Sequence, residues 1–336
     1  MRSLLLALLG AAAGLLGASA PALADALGVY VGGGNVRGAA RFGGWLGRGP
    51  TVVMDYVPTA TWSQIESPAW SADRWRRTSY RTVYSVAMLP STGTATLREG
   101  AAGAYDEHFR ALARALVRHG QRDAIIRLGW EFNEGWYRWS IVGGKGADYA
   151  EYWRRIVRTM RAVSPRFRFD WCTNNGSAWG GDAPIDPASA YPGDAYVDYI
   201  GQDVYDQSWA PDFADAAIRW KDLVDKPYGL AWLARFAREH GKPMSLPEWG
   251  LVDRADGHGG SDSPEYIDRM HAWIASHDVG YSVYFDDDAP DGRHRLGHFP
   301  RAAERFRGLF GWPAPLGALT TVAAVRLVGG PAYASG

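Results

Sequence analysis

"AIIRLGWEFNEGWYRWS", residues 124–140, begins in one character and ends in another. Ala124 to Leu128 is a short apolar run of strand length, broken only by Arg127. From Trp130 to Trp139 the chain gathers three tryptophans and a tyrosine about two carboxylates, Glu131 and Glu134. A parallel strand covered on both faces reads as such an apolar run, and a charge on it costs free energy unless it is paired or used. The stretch predicts a buried strand whose carboxyl end opens into an aromatic, acidic surface.

The same kind of run recurs along the chain. Strand candidates are "ALGVYVG" from Ala26, "TVVMDYV" from Thr51, "TVYSVAML" from Thr82, "AIIRLGWE" from Ala124, "FRFDWCT" from Phe167, "YVDYIGQDVY" from Tyr196, "PMSLPEWG" from Pro243 and "GYSVYFD" from Gly280. Segments of helical period lie between them, clearest over 104–119, 147–163, 229–240 and 264–277. Alternating βα units predict a parallel sheet. Eight of them over residues 25–311 fit a single (β/α)8 TIM barrel better than a doubly wound sheet. "YVGGGNV" lacks the glycine spacing that opens a phosphate-binding helix, which argues against dinucleotide or phosphate-loop chemistry.

The ends differ from the middle. Residues 1–24 carry Arg2, a Leu/Ala/Gly run and "APALA" closing at Ala24, the pattern of a secretory signal cleaved before Asp25, with an uncleaved anchor as the rival reading. A secreted or periplasmic protein is expected, with no stable membrane insertion once the signal is removed. Residues 312–336 are rich in small residues, and their apolar stretch is interrupted by Arg326, which predicts a loosely docked tail. Lys plus Arg and Asp plus Glu both number 36, so no electrostatic case for nucleic acid exists. One cysteine, Cys172, rules out an intramolecular disulfide, and its apolar surroundings predict an inert packed thiol. A monomer is expected.

In a barrel of this kind chemistry collects at the carboxyl ends of the strands, and inward side chains alternate with period two. On that count Arg127, Gly129 and Glu131 share a face of strand four, Met244, Leu246 and Glu248 a face of strand seven, and Gly201, Asp203 and Tyr205 a face of strand six. Glu131 and Glu248 are then expected to meet across the barrel mouth. Two carboxyls facing one aromatic cleft is what glycoside hydrolysis needs: one protonated to serve the leaving oxygen, one ionised to attack or to activate water, standing about 5 to 5.5 Å apart for retention. Aromatic neighbours such as Trp130 would raise the affinity of Glu131 for its proton, while Arg127 or the Tyr205 hydroxyl would favour the charged form of Glu248. Glu134, past the strand end, reads as a solvated loop residue.

The chain has 16 tryptophans. Trp62, Trp70, Trp136, Trp139, Trp179 and Trp209 fall in predicted loops, where flat rings stack on sugars, while Trp153, Trp232 and Trp273 lie on predicted helices and read as core.

These motifs resemble glycoside hydrolase family 26, best known for β-mannanases. The family's strand-four motif, Arg-Pro-x-His-Glu-x-Asn-Gly-x-Trp-x-Trp-Trp, is matched by Arg127, Glu131, Asn133, Trp136 and Trp139. "YPGDAYVDYIGQDVYD" is similar to its strand-six segment and "KPMSLPEWG" to its nucleophile segment, and the resemblance runs from about Ala26 to Gly311. It implies a retaining endo-glycosidase with Glu131 as acid/base, Glu248 as nucleophile and Tyr205 as the hydroxyl orienting it. Arg127, Trp130, Asn133, Trp136, Trp139, Trp179, Asp203, Trp209 and Trp249 would contact substrate. The family histidine before the acid/base is Trp130 here, and its Asn-Gly pair is Asn133-Glu134. Mannan, mixed-linkage glucan, xylan and an exopolysaccharide stay open as substrates.

No metal or cofactor is expected. The eight histidines are scattered, "FDDDAPDG" from Phe285 lacks the closing glutamate of a calcium loop, and no Gly-x-Ser-x-Gly elbow is present. The competing class is a catalytically silent barrel that binds glycan during assembly or export of a surface polysaccharide.

Overall fold

The computed structural model describes residues 27–180 and 183–311. The expected signal at residues 1–24 and the expected tail at 312–336 lie outside the described residues. Eight parallel strands close a barrel: β1 (Leu27–Tyr30), β2 (Val52–Tyr56), β3 (Arg81–Val86), β4 (Ile125–Leu128), β5 (Arg168–Asn174), β6 (Tyr199–Tyr205), β7 (Met244–Gly250) and β9 (Val279–Phe285), with β9 pairing back onto β1. Two short strands, β8 (Asp253–Arg254) and β10 (Gly292–Arg293), pair antiparallel beside it. All eight barrel strands fall where the apolar runs predict them.

Helices wrap the barrel: α1 (Val36–Leu46), α2 (Trp62–Ile65), α3 (Ala69–Trp75), α4 (Leu97–Ala101), α5 (Asp106–Arg118), α6 (Gly146–Val163), α7 (Ala216–Asp225), α8 (Leu230–Glu239), α9 (Pro264–Ser276) and α10 (Pro300–Phe310). Their ends follow local chemistry. Ser263 caps α9 by accepting from the Tyr266 amide, and Pro264 occupies the first turn, where its missing N–H costs nothing. Asp106 and Glu107 open α5 and Arg118 closes it, each sign matching the helix dipole.

Alternation along the strands divides the core in two. Val52, Met54, Val83, Ile125, Tyr281, Val283 and Phe285 fill the barrel, with Tyr56 and Tyr205 packed on them toward its carboxyl end. Val53, Ile126, Leu128, Trp171, Ile200, Leu246 and Trp249 face out beneath the helices. Trp153 and Trp232 belong to that outer layer, as their helical positions predict, and Trp273 packs against it.

Two strands leave the regular pattern where they reach the mouth. β4 stops at Leu128, and Gly129 and Glu131 both take left-handed backbone, φ 54° and 51°. A Cβ on Gly129 would also lie 2.5 Å from Met88 Sδ, so glycine is required there twice over. In β7 the pairing slips between Ser245 and Trp249 against β6 and between Leu246 and Trp249 against β9. Pro247, which lacks an amide hydrogen, sits in that bulge.

Candidate active site

The bulge decides where Glu248 points. Ser245 faces inward, donating to Asp170 at 2.7 Å, and Leu246 faces out. Strict alternation would put Glu248 on the Leu246 face. The extra residue restores it to the interior, which corrects the expectation that Met244, Leu246 and Glu248 share a face. Glu131 likewise does not sit on an extension of the Arg127 face. It is delivered by the left-handed turn, its amide bonded to the Cys172 carbonyl at 3.0 Å.

Both glutamates line one cleft of about 1620 Å³, along with Tyr56, Trp130, Trp136, Tyr137, Trp179, Tyr205, Trp209, Arg254 and His294. Their surroundings differ. Glu248, 7% exposed, accepts from Arg127 Nη1 at 2.5 Å and Tyr56 Oη at 2.5 Å on Oε1, and from Tyr205 Oη at 2.8 Å on Oε2. Glu131 is half-buried and accepts from Trp136 Nε1 at 3.2 Å. Burial, and then the neighbouring Glu248 charge, push the Glu131 carboxyl up to about 8 from its ordinary 4.5, with Arg127 and the Trp136 bond opposing. Beneath them Arg127, fully buried, also donates to Ser85 Oγ at 3.0 Å and pairs with Asp203. Asp203 in turn lies 3.3 Å from the buried thiol of Cys172. One buried guanidinium thus serves two carboxylates.

Several of the residues expected to contact sugar are buried or face away from the cleft. Arg127 and Asp203 have no exposed surface: Arg127 pairs with Asp203 and with Glu248, and Asp203 underlies the cleft lining. Asn133 is buried and clamps the loop after β5, donating to the carbonyls of Asn174 and Gly176 and accepting the Asn174 amide at 2.8 Å. Trp249 points away from the cleft and packs on Tyr284, Phe306 and Phe310, because its neighbour Glu248 takes the inward place. Trp62 stacks on His108 at 4.2 Å and Trp70 lies under Arg74, both away from the cleft walls.

Trp130 and Trp139 do reach the wall, but as buried supports. Trp139 Nε1 donates to the Trp130 carbonyl at 2.8 Å, and Trp130 Nε1 to the Tyr137 hydroxyl at 3.0 Å. Trp136, Trp179 and Trp209 are the open rings, 59%, 66% and 57% exposed, carried by the loops after β4, β5 and β6. Glu134 is not simply solvated. It is half-buried in the cleft wall, accepts from Asn174 Nδ2 at 3.1 Å, and is raised by burial.

Tyr56 was missed, although Val52, Met54 and Tyr56 alternate on β2 and would have placed its hydroxyl at the mouth. Lys226 caps the end of α7, Arg254 lies on the two-residue strand β8 and His294 follows β10, segments too short or irregular to carry such periodicity. Of the "FDDDAPDG" loop, Phe285, Ala289, Pro290 and Asp291 line the cleft, with Asp291 accepting from Arg254 and pairing with His294.

Comparison with known proteins accords with this geometry. The profile described as Glycosyl hydrolase family 26 matches residues 111–245, which include Glu131, Asp203 and Tyr205 and end just short of Glu248. A mannan endo-1,4-β-mannosidase of Bifidobacterium adolescentis is 29% identical over 153 residues, 44% of this chain and 15% of that protein. The match thus spans only a small part of the relative's length. An endo-β-1,4-mannanase double mutant from Cellulomonas fimi superposes with a TM-score of 0.60 at 18% identity, over 86% of this chain and 71% of that one. A family 26 β-mannanase from Bacteroides ovatus gives 0.55 at 14% identity, over 85% and 88%. At these identities the superpositions speak for the barrel alone. The profile match over residues 111–245 and the sequence relative make this stretch of the chain similar to family 26 glycoside hydrolases.

Proposed function

We propose that the chain is a retaining endo-glycoside hydrolase that cuts a β-linked polysaccharide, β-1,4-mannan being the first substrate to test because the relatives are named for it. The observation that carries this reading is the opposite provision of two glutamates on one cleft. Glu248, facing three donors, is supplied as an oriented carboxylate; Glu131, facing one, keeps its proton at neutral pH. Glu131 gives its proton to the glycosidic oxygen as that C–O bond breaks, the bonding pair leaving on the oxygen. Glu248 supplies the electron pair of the new bond to the anomeric carbon. Water then gives a proton back to Glu131 and displaces Glu248, so the configuration is retained. Oε2 of Glu248 has one donor against two on Oε1 and is the freer oxygen for attack.

Endo action is supported by size. The cleft, about 1620 Å³, exceeds the roughly 300–1,000 Å³ of a site for one small ligand. The open rings of Trp136, Trp179 and Trp209 offer stacking surfaces along it. The leader-like residues 1–24 support a secreted or periplasmic location, where polysaccharide is met.

The experiment is reducing-end release from mannan, mixed-linkage glucan, xylan and bacterial exopolysaccharides, with Glu248→Ala protein as the blank and proton NMR of the first product. Early β-anomer from a β-linked chain is expected. Early α-anomer would overturn retention, and no release from any polymer by the unaltered protein would favour a glycan-binding barrel.

A further inference from the structure

Among the described residues the hydrogen bond recorded on the Glu131 carboxyl comes from Trp136, whose Nε1 lies 3.2 Å from Oε2. An indole N–H can only donate. When the carboxyl carries its proton, Oε2 is therefore the carbonyl oxygen and Oε1 the hydroxyl. Once the proton has gone, the same N–H points at an anion, and such a charge-assisted bond is roughly twice as strong as a neutral one. The contact gains strength as the proton leaves, which is when an acid catalyst is served by it. The ring is 59% exposed, so water competes for the N–H in the free protein, and a sugar laid over the ring removes that competitor.

We propose, on the acid role assigned to Glu131 above, that Trp136 is a positioning residue whose indole N–H fixes the proton on Oε1 and stabilises the carboxylate left when that proton passes to the glycosidic oxygen. A ring acting only as a sugar platform would need its flat face and not its N–H. The chemistry separates the two roles.

Trp136→Phe keeps a ring and removes the donor, while Trp136→Ala removes both. For the Phe variant, kcat on the polysaccharide should fall about tenfold to a hundredfold, the effect of losing a hydrogen bond to a charged group. KM should stay within about twofold, since the lost contact acts in the transition state. The basic limb of kcat/KM should move to higher pH, because the bond that holds the Glu131 carboxyl down is gone. On a 2,4-dinitrophenyl β-glycoside of the released sugar, whose leaving group needs no proton, the rate should stay within about twofold of the unaltered protein. The Ala variant should add a rise in KM.

An unmoved basic limb with the loss carried by KM alone would overturn the proposal, as would equal losses on both substrates or no change on either. A readout free of turnover completes the test. In protein labelled with carboxyl-13C glutamate, the Glu131 signal is assigned by its absence from Glu131→Gln, and its titration should move up in Trp136→Phe. A protein that hydrolyses nothing would sink the catalytic reading, yet this titration still decides on the indole: an unmoved midpoint overturns it.

Discussion

Glu131 and Glu248 are the same residue at the mouth of the same barrel, and they stand in opposite surroundings. Glu248 is the more buried, yet it meets a guanidinium and two tyrosine hydroxyls. Glu131 is less buried, meets one indole, and is pushed up to about 8. Burial by itself disfavours the charged form of either. What distinguishes the pair is the count and charge of the donors each receives. Backbone follows the same division, since a bulge turns Glu248 inward over Arg127 and a left-handed turn lifts Glu131 clear of it.

The widest separation between the two should appear in turnover. Glu248→Ala is expected to lose about 10⁴-fold or more on every substrate, because no other group can form the glycosyl bond. Glu131→Ala should lose about 10²- to 10⁴-fold on polysaccharide and far less in kcat/KM on a 2,4-dinitrophenyl glycoside, whose first step needs no acid. The unaltered protein should lose kcat/KM on polysaccharide above about pH 8, as Glu131 gives up its proton. Equal losses for the two variants on the activated substrate would erase the distinction between acid and nucleophile.

How much of this was legible in the sequence depends on the kind of backbone. Strands were legible because apolar runs of strand length, punctuated by glycine and charge, leave a clear pattern, and β1 to β7 and β9 follow it. α1 was not: Gly38, Gly43 and Gly44 lower its helix propensity, and packing of Phe42 and Trp45 on Phe306 holds it. The two glutamates were found by counting in twos, although neither β4 nor β7 keeps that count to its end. Pro247 and Gly129 were the signs of departure, and they were readable as such. The fates of Arg127, Asp203 and Trp249 were hidden, since a buried ion pair between β4 and β6, or the phase of a strand beyond a bulge, depends on partners distant in sequence. Tyr56 needed only the alternation already visible on its own strand.

A smaller effect tests the cation that sets Glu248 apart. Replacing Arg127 with Met should leave Asp203 and Glu248 buried without their counter-charge, destabilising the protein by about 3–5 kcal/mol in urea or guanidinium unfolding. Adding Asp203→Asn should recover part of that loss, the coupling expected of a contacting pair. Additive losses in the double variant would mean that Arg127 acts through packing alone.

The smallest effect concerns Glu131 and the stability of the fold. Its folded carboxyl titrates near 8 against an ordinary 4.5, so between those values the folded protein binds more protons than the unfolded chain. The contribution of this group is therefore fully present below about pH 4.5 and is lost as pH rises through about 8. Glu131→Gln removes the titration while leaving a carbonyl oxygen for Trp136 to donate to. Its melting temperature should match that of the unaltered protein at pH 4.5 and exceed it by about 2–4 °C at pH 8, a value discounted for the partial solvent access of the side chain. Asp170 and Asp286, both raised to about 6 by burial, are present in both proteins and cancel in the difference. A gap that stayed constant with pH would mean that Glu131 is ionised throughout, and the contrast with Glu248 would then lie in position and not in charge.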